Sequence, residues 1–567
     1  MSITQAKAPL PAGLTSEDRM SADIAIIGAG PGGYSTALRA AELGLSVVLI
    51  ERDDSLGGTC LNRGCIPTKA LVTAARSIDA VRHASRIGIA ASITGIDYGT
   101  MLEYKNHVVD TMTQGLSGLI AHRGIVVLRG RAALDGAPSQ DGATLDDSAP
   151  LGGATFEDTT PDNPTHADVA QDDTTQDSAD GATGGPTDEP TNHAVAHIIT
   201  VTPSGARDHV QRFIASDVPQ NCGASVSVTA KRVVLAMGSR PRLLPSHDFA
   251  GALIDSTQAL SLVHFPATAT IIGSGSIAVE FASIWSAGGC AVTMLIRHDR
   301  VLSAWDRRSG VTLTRELKRR GITVLTHTDV TGVDVGVNLG ATVHYNDADG
   351  RQQSIFAELA LVAIGRTPNT DEPWCKAAGI ALDPDGYVST DARGHTSVAG
   401  ISAVGDITQG PGLASRAFEQ GIAIAEDAAG LDARPVDDDC VAQVVFSSPE
   451  GATVGCTLED ARQRDDLHNV RETIYPVMSN ARMLMSGSAG SLSIVSGERD
   501  EQPGVEVVLG VHMVVPNAGD MIGEAQQIIA HRIPLHSAAG LTHPHPTFSE
   551  TFGEALLLAD GRPLHTR

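Results

Sequence analysis

Short unbroken apolar runs alternate along the chain with stretches in which small and apolar residues recur at helical spacing. This is the pattern of strands buried in parallel sheets between covering helices. The first run, Asp23-Ile-Ala-Ile-Ile27, leads into the turn Gly28-Ala-Gly30-Pro-Gly-Gly33. A helix is predicted over 34–43, and a second strand, Ser46-Val-Val-Leu-Ile50, ends in Glu51. The same order recurs at Ala269-Thr-Ile-Ile272 and Gly273-Ser-Gly275-Ser-Ile-Ala278-Val-Glu280, with a helix to 287 and a strand over 291–296. Gln443-Val-Val-Phe446 and Val507-Val-Leu-Gly-Val-His512 read as further strands. The class is α/β, and 567 residues are too many for one core, so three or four domains are expected.

Strand, glycine turn, helix, strand and acid in that order suit a dinucleotide. A turn without side chains lets backbone N–H groups and the helix N-terminus reach a pyrophosphate, while Glu51 can accept from ribose hydroxyls. Gly28, Gly30 and Gly33 form the first such unit; Gly273, Gly275 and Ala278 form the second. Two dinucleotides are therefore expected. The second unit ends in Ile296-Arg297-His298, with no acid. An acid would repel a 2′-phosphate and Arg297 would attract one, which favours NADP(H) over NAD(H) by roughly tenfold to a hundredfold for one charge-assisted contact. The alternative is that Arg297 only points to solvent.

Composition narrows the setting. The hydrophobic share is 42%, mean hydropathy is near zero, and no run approaches the roughly 18 apolar residues of a membrane span. The first twenty residues, read as a flexible N-terminus, hold no apolar core of a secretory signal, so a cytoplasmic location is expected. A net charge of −25 disfavours nucleic acid and anionic membrane as partners. Much of that charge is local: between Arg131 and Arg207 there are 14 acidic residues and no Lys or Arg. The tract at about 137–194 cannot bury a core and reads as a solvated, disordered insertion.

Seven cysteines do not make a disulfide framework in so long a chain. Two are close. Cys60 and Cys65 stand in GGTCLNRGCIPTK, in a turn entering a helix, where the helix N-terminus favours thiolate. Half a zinc site is the rival reading, but the other cysteines (222, 290, 375, 440, 456) are scattered, so no metal is expected.

GGTCLNRGCIPTKAL resembles the redox segment of the class I pyridine nucleotide-disulfide oxidoreductases, especially their lipoamide dehydrogenase branch. Val234-Leu-Ala-Met-Gly238-Ser-Arg-Pro and Leu361-Val-Ala-Ile-Gly365-Arg366-Thr-Pro-Asn are similar to the family's linking segments. Gly400-Ile-Ser-Ala-Val-Gly405-Asp406 resembles its second FAD motif, and His543-Pro-His545-Pro-Thr-Phe-Ser-Glu550 its C-terminal His/Glu motif. The resemblance implies two doubly wound Rossmann-like nucleotide-binding domains plus a C-terminal α+β dimerisation domain. The expected bounds are an FAD-binding domain at 21–250, an NAD(P)-binding domain at 251–370, a central segment completing the first at 371–436, and a dimerisation domain at 437–567.

By the same resemblance, Cys60 is the thiol that meets substrate and Cys65 the thiol beside the flavin. Lys69 pairs with Glu280 near the flavin, and lies one helical turn past Cys65. His545 is the acid/base and Glu550 its orienting carboxylate, with the histidine supplied by the partner in a homodimer. Thr547-Phe-Ser-Glu550 is also a legitimate capping box, and His543 can serve simply to shape the loop. Gly58, Thr59, Gly238, Gly405 and Asp406 join Glu51 and the first glycines around FAD. Arg297, His298, Gly365 and Arg366 join the second set around NADP(H) or NAD(H).

The implied activity moves electrons between a small or protein-bound dithiol or disulfide, the cysteine pair, FAD and the nicotinamide nucleotide. IPTKAL and the tail HPHPTFSETFGEALLLADGRPLH point to a dihydrolipoyl dithiol. GSGSIAVE and MLIRHDRVL resemble NADPH-dependent reductases of low-molecular-weight disulfides. A third reading, an assembly component whose redox turnover is incidental, would not require all of Cys60, Cys65, His545 and Glu550.

Overall fold

The computed structural model describes residues 19–135, 196–205, 207, 209–214, 216–336, 340–487 and 490–566. The acidic tract expected at 137–194, and residues 1–18 of the expected flexible N-terminus, lie outside the described residues.

A nine-stranded sheet carries the first nucleotide unit. Its central strand, Arg19–Ile27, runs parallel to Val47–Glu51 on one side and to Val226–Leu235 on the other. The strand starts four residues before the apolar run that predicts it, because Arg19 and Met20 pair with Ser227 and Val228. All of Val47–Glu51 is buried, the acid included, as a strand covered on both faces must be. The chain returns to this sheet late: Ile401–Ala403 pairs in parallel with Val233, Val234 and Leu235. Helix Ala414–Ala428 then packs on helix Pro31–Glu42 so closely that a Cβ on Gly421 would lie 2.2 Å from Ser35 Oγ. Arg39 and Glu426 close that contact at 2.6 Å.

The second unit is a five-stranded parallel sheet. Its order is Leu253–Ile254, Leu359–Val362, Thr268–Ile272, Ala291–Leu295 and Thr323–Leu325. Between its last two strands in sequence the chain forms an antiparallel three-stranded sheet over 329–357. That addition follows a polar, turn-rich stretch that gives little periodic signal.

The C-terminal part is a five-stranded antiparallel sheet spanning 443–515, with helices Ala518–Ala530 and Glu550–Ala559 packed against it. Gln502–Val515 is its long central strand, buried from Val507 onward. Among the described residues no helix is long and apolar enough to cross a membrane.

Candidate active site

The three glycines of the first turn answer three different demands. Gly28 has φ +103°, and a Cβ there would lie 2.4 Å from Ala236 O. At Gly33 a Cβ would fall 1.8 Å from Gly28 O, so only glycine lets the helix abut the turn. Gly30 is different, with nothing nearer to an added Cβ than Gly58 Cα at 3.9 Å. It keeps the backbone open to the cleft. Helix Pro31–Glu42 begins there with no side-chain cap, so its first N–H groups are free for a phosphate. It begins at Pro31, three residues before the helix predicted from the sequence, because proline suits the first helical position.

Glu51 locks this turn. Its carboxylate is 6% exposed and accepts from Ala29 N at 2.8 Å and Asp53 N at 2.9 Å. Burial raises its pKa above the ordinary carboxylate value, and the two backbone donors oppose that rise. The second turn repeats the design. Gly273 (φ +130°) would place a Cβ 2.1 Å from Ala363 O, whereas Gly275 has open space. Ala278 is fully buried, so its methyl group is accommodated where the first turn tolerates only Gly33. Both turns thus fit a dinucleotide pyrophosphate. Gly33→Ala is expected to destabilise by roughly 3–5 kcal/mol and strip the flavin, while Gly30→Ala keeps the fold and weakens flavin retention. Thermal melts with and without added FAD check both.

Both turns line one cleft of about 790 Å3, together with Gly58, Thr59, Cys60, Cys65 and Lys69. Cys60 sits in the short helix Gly58–Arg63, and Cys65 is the first residue of helix Cys65–His83. Gly64 separates them, where a Cβ would approach Thr59 O to 2.9 Å. Hydrogen bonding between the two thiols, with the charge of Lys69, pulls Cys65 down to about 7 against the effect of burial. The same bond, with burial, pushes Cys60 up. The pair is therefore polarised, with the thiolate on Cys65. Alkylation of Cys65 in the reduced protein is expected to rise with pH through a midpoint near 7 and to be slow below it. Lys69→Met should move the midpoint upward, read by mass spectrometry of trapped peptides.

Lys69 Nζ lies 3.1 Å from both carboxylate oxygens of Glu280, which is 6% exposed as a side chain. The ammonium also stands 4.6 Å from the centre of the Phe446 ring, and the Phe446 N–H donates to Glu280 at 3.1 Å. Phe446 is a partner the sequence did not reveal, since its run carries only a strand signal.

Gly238, Gly365 and Gly405 all have positive φ and line the cleft with Asp406. Ser239 Oγ donates to Asp406 at 2.5 Å. Arg366, expected beside the nicotinamide nucleotide, instead donates to Ser239 Oγ and Ser239 O, both at 2.6 Å, and lies 3.8 Å from Asp406. Its guanidinium is thus held against Ser239 and Asp406. The cause is strand pairing: Arg366–Pro368 runs antiparallel to Ser239–Pro241 of the first domain. Arg297 and His298 are exposed beyond strand Ala291–Leu295. The Arg297 side chain is 80% exposed, and among the described residues the one carboxylate within salt-bridge range is Asp329 at 3.9 Å.

His545 and Glu550 are absent from the lining of this cleft. His545 Nδ1 is 2.6 Å from Glu550 Oε1, with the ring 69% exposed and the carboxylate largely buried. Only half of the capping box forms. Glu550 N donates to Thr547 Oγ1 at 3.2 Å, but the Glu550 carboxylate turns to His545, and Asn480 Nδ2 approaches its other oxygen at 3.3 Å. His543 shapes the loop: its ring packs on Gly553, and Nε2 meets Glu524 at 2.8 Å, which raises its pKa. Asn480 and Glu524 have no signal in the local sequence.

The chain matches the pyridine nucleotide-disulphide oxidoreductase family over 22–150 and 195–421, and that family's dimerisation domain over 441–556. Dihydrolipoyl dehydrogenase of Geobacillus stearothermophilus is 31% identical over 541 residues, covering 95% of this chain and 96% of that one. The dihydrolipoyl dehydrogenase of Cupriavidus necator is also 31% identical, covering 96% and 99%. Among solved structures, LpdA from Mycobacterium tuberculosis superposes with a TM-score of 0.74 at 24% identity, over 95% of this chain and 99% of that one. The HOCl-induced flavoprotein disulfide reductase RclA from Escherichia coli gives 0.68 at 21%, over 95% and 99%.

Proposed function

Since the chain belongs to the pyridine nucleotide-disulphide oxidoreductase family, we propose that it is a dihydrolipoyl dehydrogenase working through Cys60, Cys65 and His545. It is an FAD-dependent disulfide oxidoreductase that uses a nicotinamide nucleotide. What supports the finer reading is Cys60 and Cys65 together in one cleft beside the Lys69–Glu280 ion pair, in a chain 31% identical over 95% of its length to a dihydrolipoyl dehydrogenase.

In this reading His545 takes a proton from the first substrate thiol, and the resulting thiolate attacks Cys60 Sγ of the oxidised pair. The Cys60–Cys65 bond breaks and Cys65 leaves as thiolate, which its lowered pKa favours. The second substrate thiol then attacks the mixed disulfide, releasing the cyclic disulfide and the Cys60 thiol. Glu550 holds Nδ1 of His545, so that Nε2 faces the proton. One chain keeps His545 outside its own cysteine cleft, so the proposal requires a homodimer built on the dimerisation domain, each chain lending its histidine to the other.

Bound FAD supplies two-electron transfer between the dithiol and the nicotinamide nucleotide. Its pyrophosphate would rest on the turn from Gly28 to Gly33, with Glu51, Gly58, Thr59, Gly238, Gly405 and Asp406 around it. Gly273, Gly275, Ala278, Gly365 and His298 would cradle the nicotinamide nucleotide. Arg366 moves to the flavin set. A lipoyl group is the proposed dithiol, and a cytoplasmic setting suits the free thiols.

The exposed, weakly paired Arg297 favours a second reading, an NADPH-dependent reductase of a low-molecular-weight disulfide. Steady-state turnover of the FAD-loaded protein separates the two: dihydrolipoamide with NAD⁺ or NADP⁺, against small disulfides with NADH or NADPH. Dominant dihydrolipoamide oxidation is expected; NADPH-driven disulfide reduction alone would favour the second reading. Arg297→Glu is expected to lower kcat/KM for NADP(H) by roughly tenfold to a hundredfold and to spare NAD(H).

A further inference from the structure

A second pocket, of about 530 Å3, lies away from the nucleotide cleft. It forms where helix Cys65–His83 ends against helix Arg307–Arg319, the 447–450 turn and the start of helix Ala518–Ala530. Its wall carries Arg76, Arg82, Arg86, Arg319, Arg320 and His83 against two carboxylates, Asp79 and Glu450. In a chain with 41 basic and 66 acidic residues, that reverses the general balance.

Both carboxylates are already engaged. Glu450 pairs with Arg76 and accepts the Gly519 N–H at 2.8 Å, and Asp79 pairs with Arg320. Arg319 pairs with Glu316 at 2.6 Å. Arg82 and Arg86 are exposed and have no hydrogen bond or ion pair among the described residues. Nε of Arg320 is buried without a hydrogen-bond partner among the described residues. Cations commonly sit at helix C-termini, and one or two arginines would satisfy the two ends that meet here. Three of the five are paired, with Glu450, Asp79 and Glu316, and Arg82 and Arg86 remain on one rim with both carboxylates of the pocket already engaged.

We propose that this pocket binds a small molecule carrying two or more phosphoryl groups. Arginine forks match phosphate oxygens two at a time, and a cluster of them suits several phosphates better than one. The volume falls within the roughly 300–1,000 Å3 of small-molecule sites. Arg82 stands in the last turn of its helix and Arg86 in the 3-10 turn Ala84–Ile87 that continues it, so the two unpaired guanidinium groups follow one another along the rim.

Calorimetric titration of the FAD-loaded, full-length protein with inorganic tripolyphosphate tests the proposal. Wild type is expected to bind it, more weakly as salt rises. The double variant Arg82→Glu/Arg86→Glu should weaken binding at least about tenfold with turnover unchanged, and Arg297→Glu should leave binding intact. Equal affinity in wild type and the double variant, or no binding at all, would overturn it. So would a loss confined to Arg297→Glu, which would put the anion in the nucleotide cleft. Dissociation of the double variant on sedimentation, with no tripolyphosphate bound by wild type, would overturn it in favour of an interface between two copies.

Discussion

Cys65→Ser is expected to lower dihydrolipoamide oxidation by about 10³-fold or more, while reduction of an artificial acceptor by NADH, which needs only flavin, persists. Serine cannot form the disulfide, and no other thiol is placed to substitute: Cys290, Cys375 and Cys456 are buried, and Cys222 and Cys440 lie outside the cleft. Cys60→Ser should be equally inactive toward the dithiol for a different reason. It leaves the Cys65 thiolate beside Lys69 but removes the sulfur that the substrate attacks. The two variants therefore differ in alkylation, Cys60→Ser remaining reactive near neutral pH and Cys65→Ser not. Parallel assays of dithiol turnover, acceptor reduction and iodoacetamide trapping read all three consequences.

The second large effect concerns the histidine. His545→Gln is expected to reduce kcat with the dithiol by roughly 10²- to 10⁴-fold, the usual range for loss of a general acid–base group. Glu550→Gln should cost less, about tenfold to a hundredfold, because the amide oxygen can still accept from Nδ1 but carries no charge to stabilise the protonated ring. Asn480, which approaches the far oxygen of Glu550, should have a smaller effect still. Mixing tests the subunit arrangement directly. Dimers formed from one Cys65→Ser chain and one His545→Gln chain should recover dithiol turnover, since one intact site then assembles from two defective chains. Continued inactivity of the mixed dimers would mean that the histidine serves its own chain.

The parts of the site that were legible in the sequence are those that backbone geometry dictates. Gly28 and Gly33 have no room for a side chain, and Gly30 and Gly275 must leave the turn open, so the glycine spacing carries the fold on its face. The Cys60/Cys65 spacing was equally readable, since both residues and Lys69 belong to two helices that follow each other directly. Partners brought in from far along the chain were not. Phe446 meets Lys69 and Glu280 from a separate sheet, and Asn480 reaches Glu550 across 70 residues. Arg366 is a further contact that adjacency did not show. It follows Gly365 at the end of the second nucleotide unit, yet strand Arg366–Pro368 pairs with Ser239–Pro241 and carries its guanidinium to Ser239 of the first domain. The antiparallel sheet over 329–357 went unread because its strands carry glycines and are largely polar on one face.

The central claim is that the Cys60/Cys65 pair is the relay between nicotinamide nucleotide and substrate. Counting titratable thiols in the denatured protein, before and after anaerobic reduction of the oxidised holoenzyme by NADH or NADPH, tests it most directly. Two additional thiols are expected on reduction, mapping by mass spectrometry to Cys60 and Cys65. An unchanged count, or new thiols on other cysteines, would contradict the account.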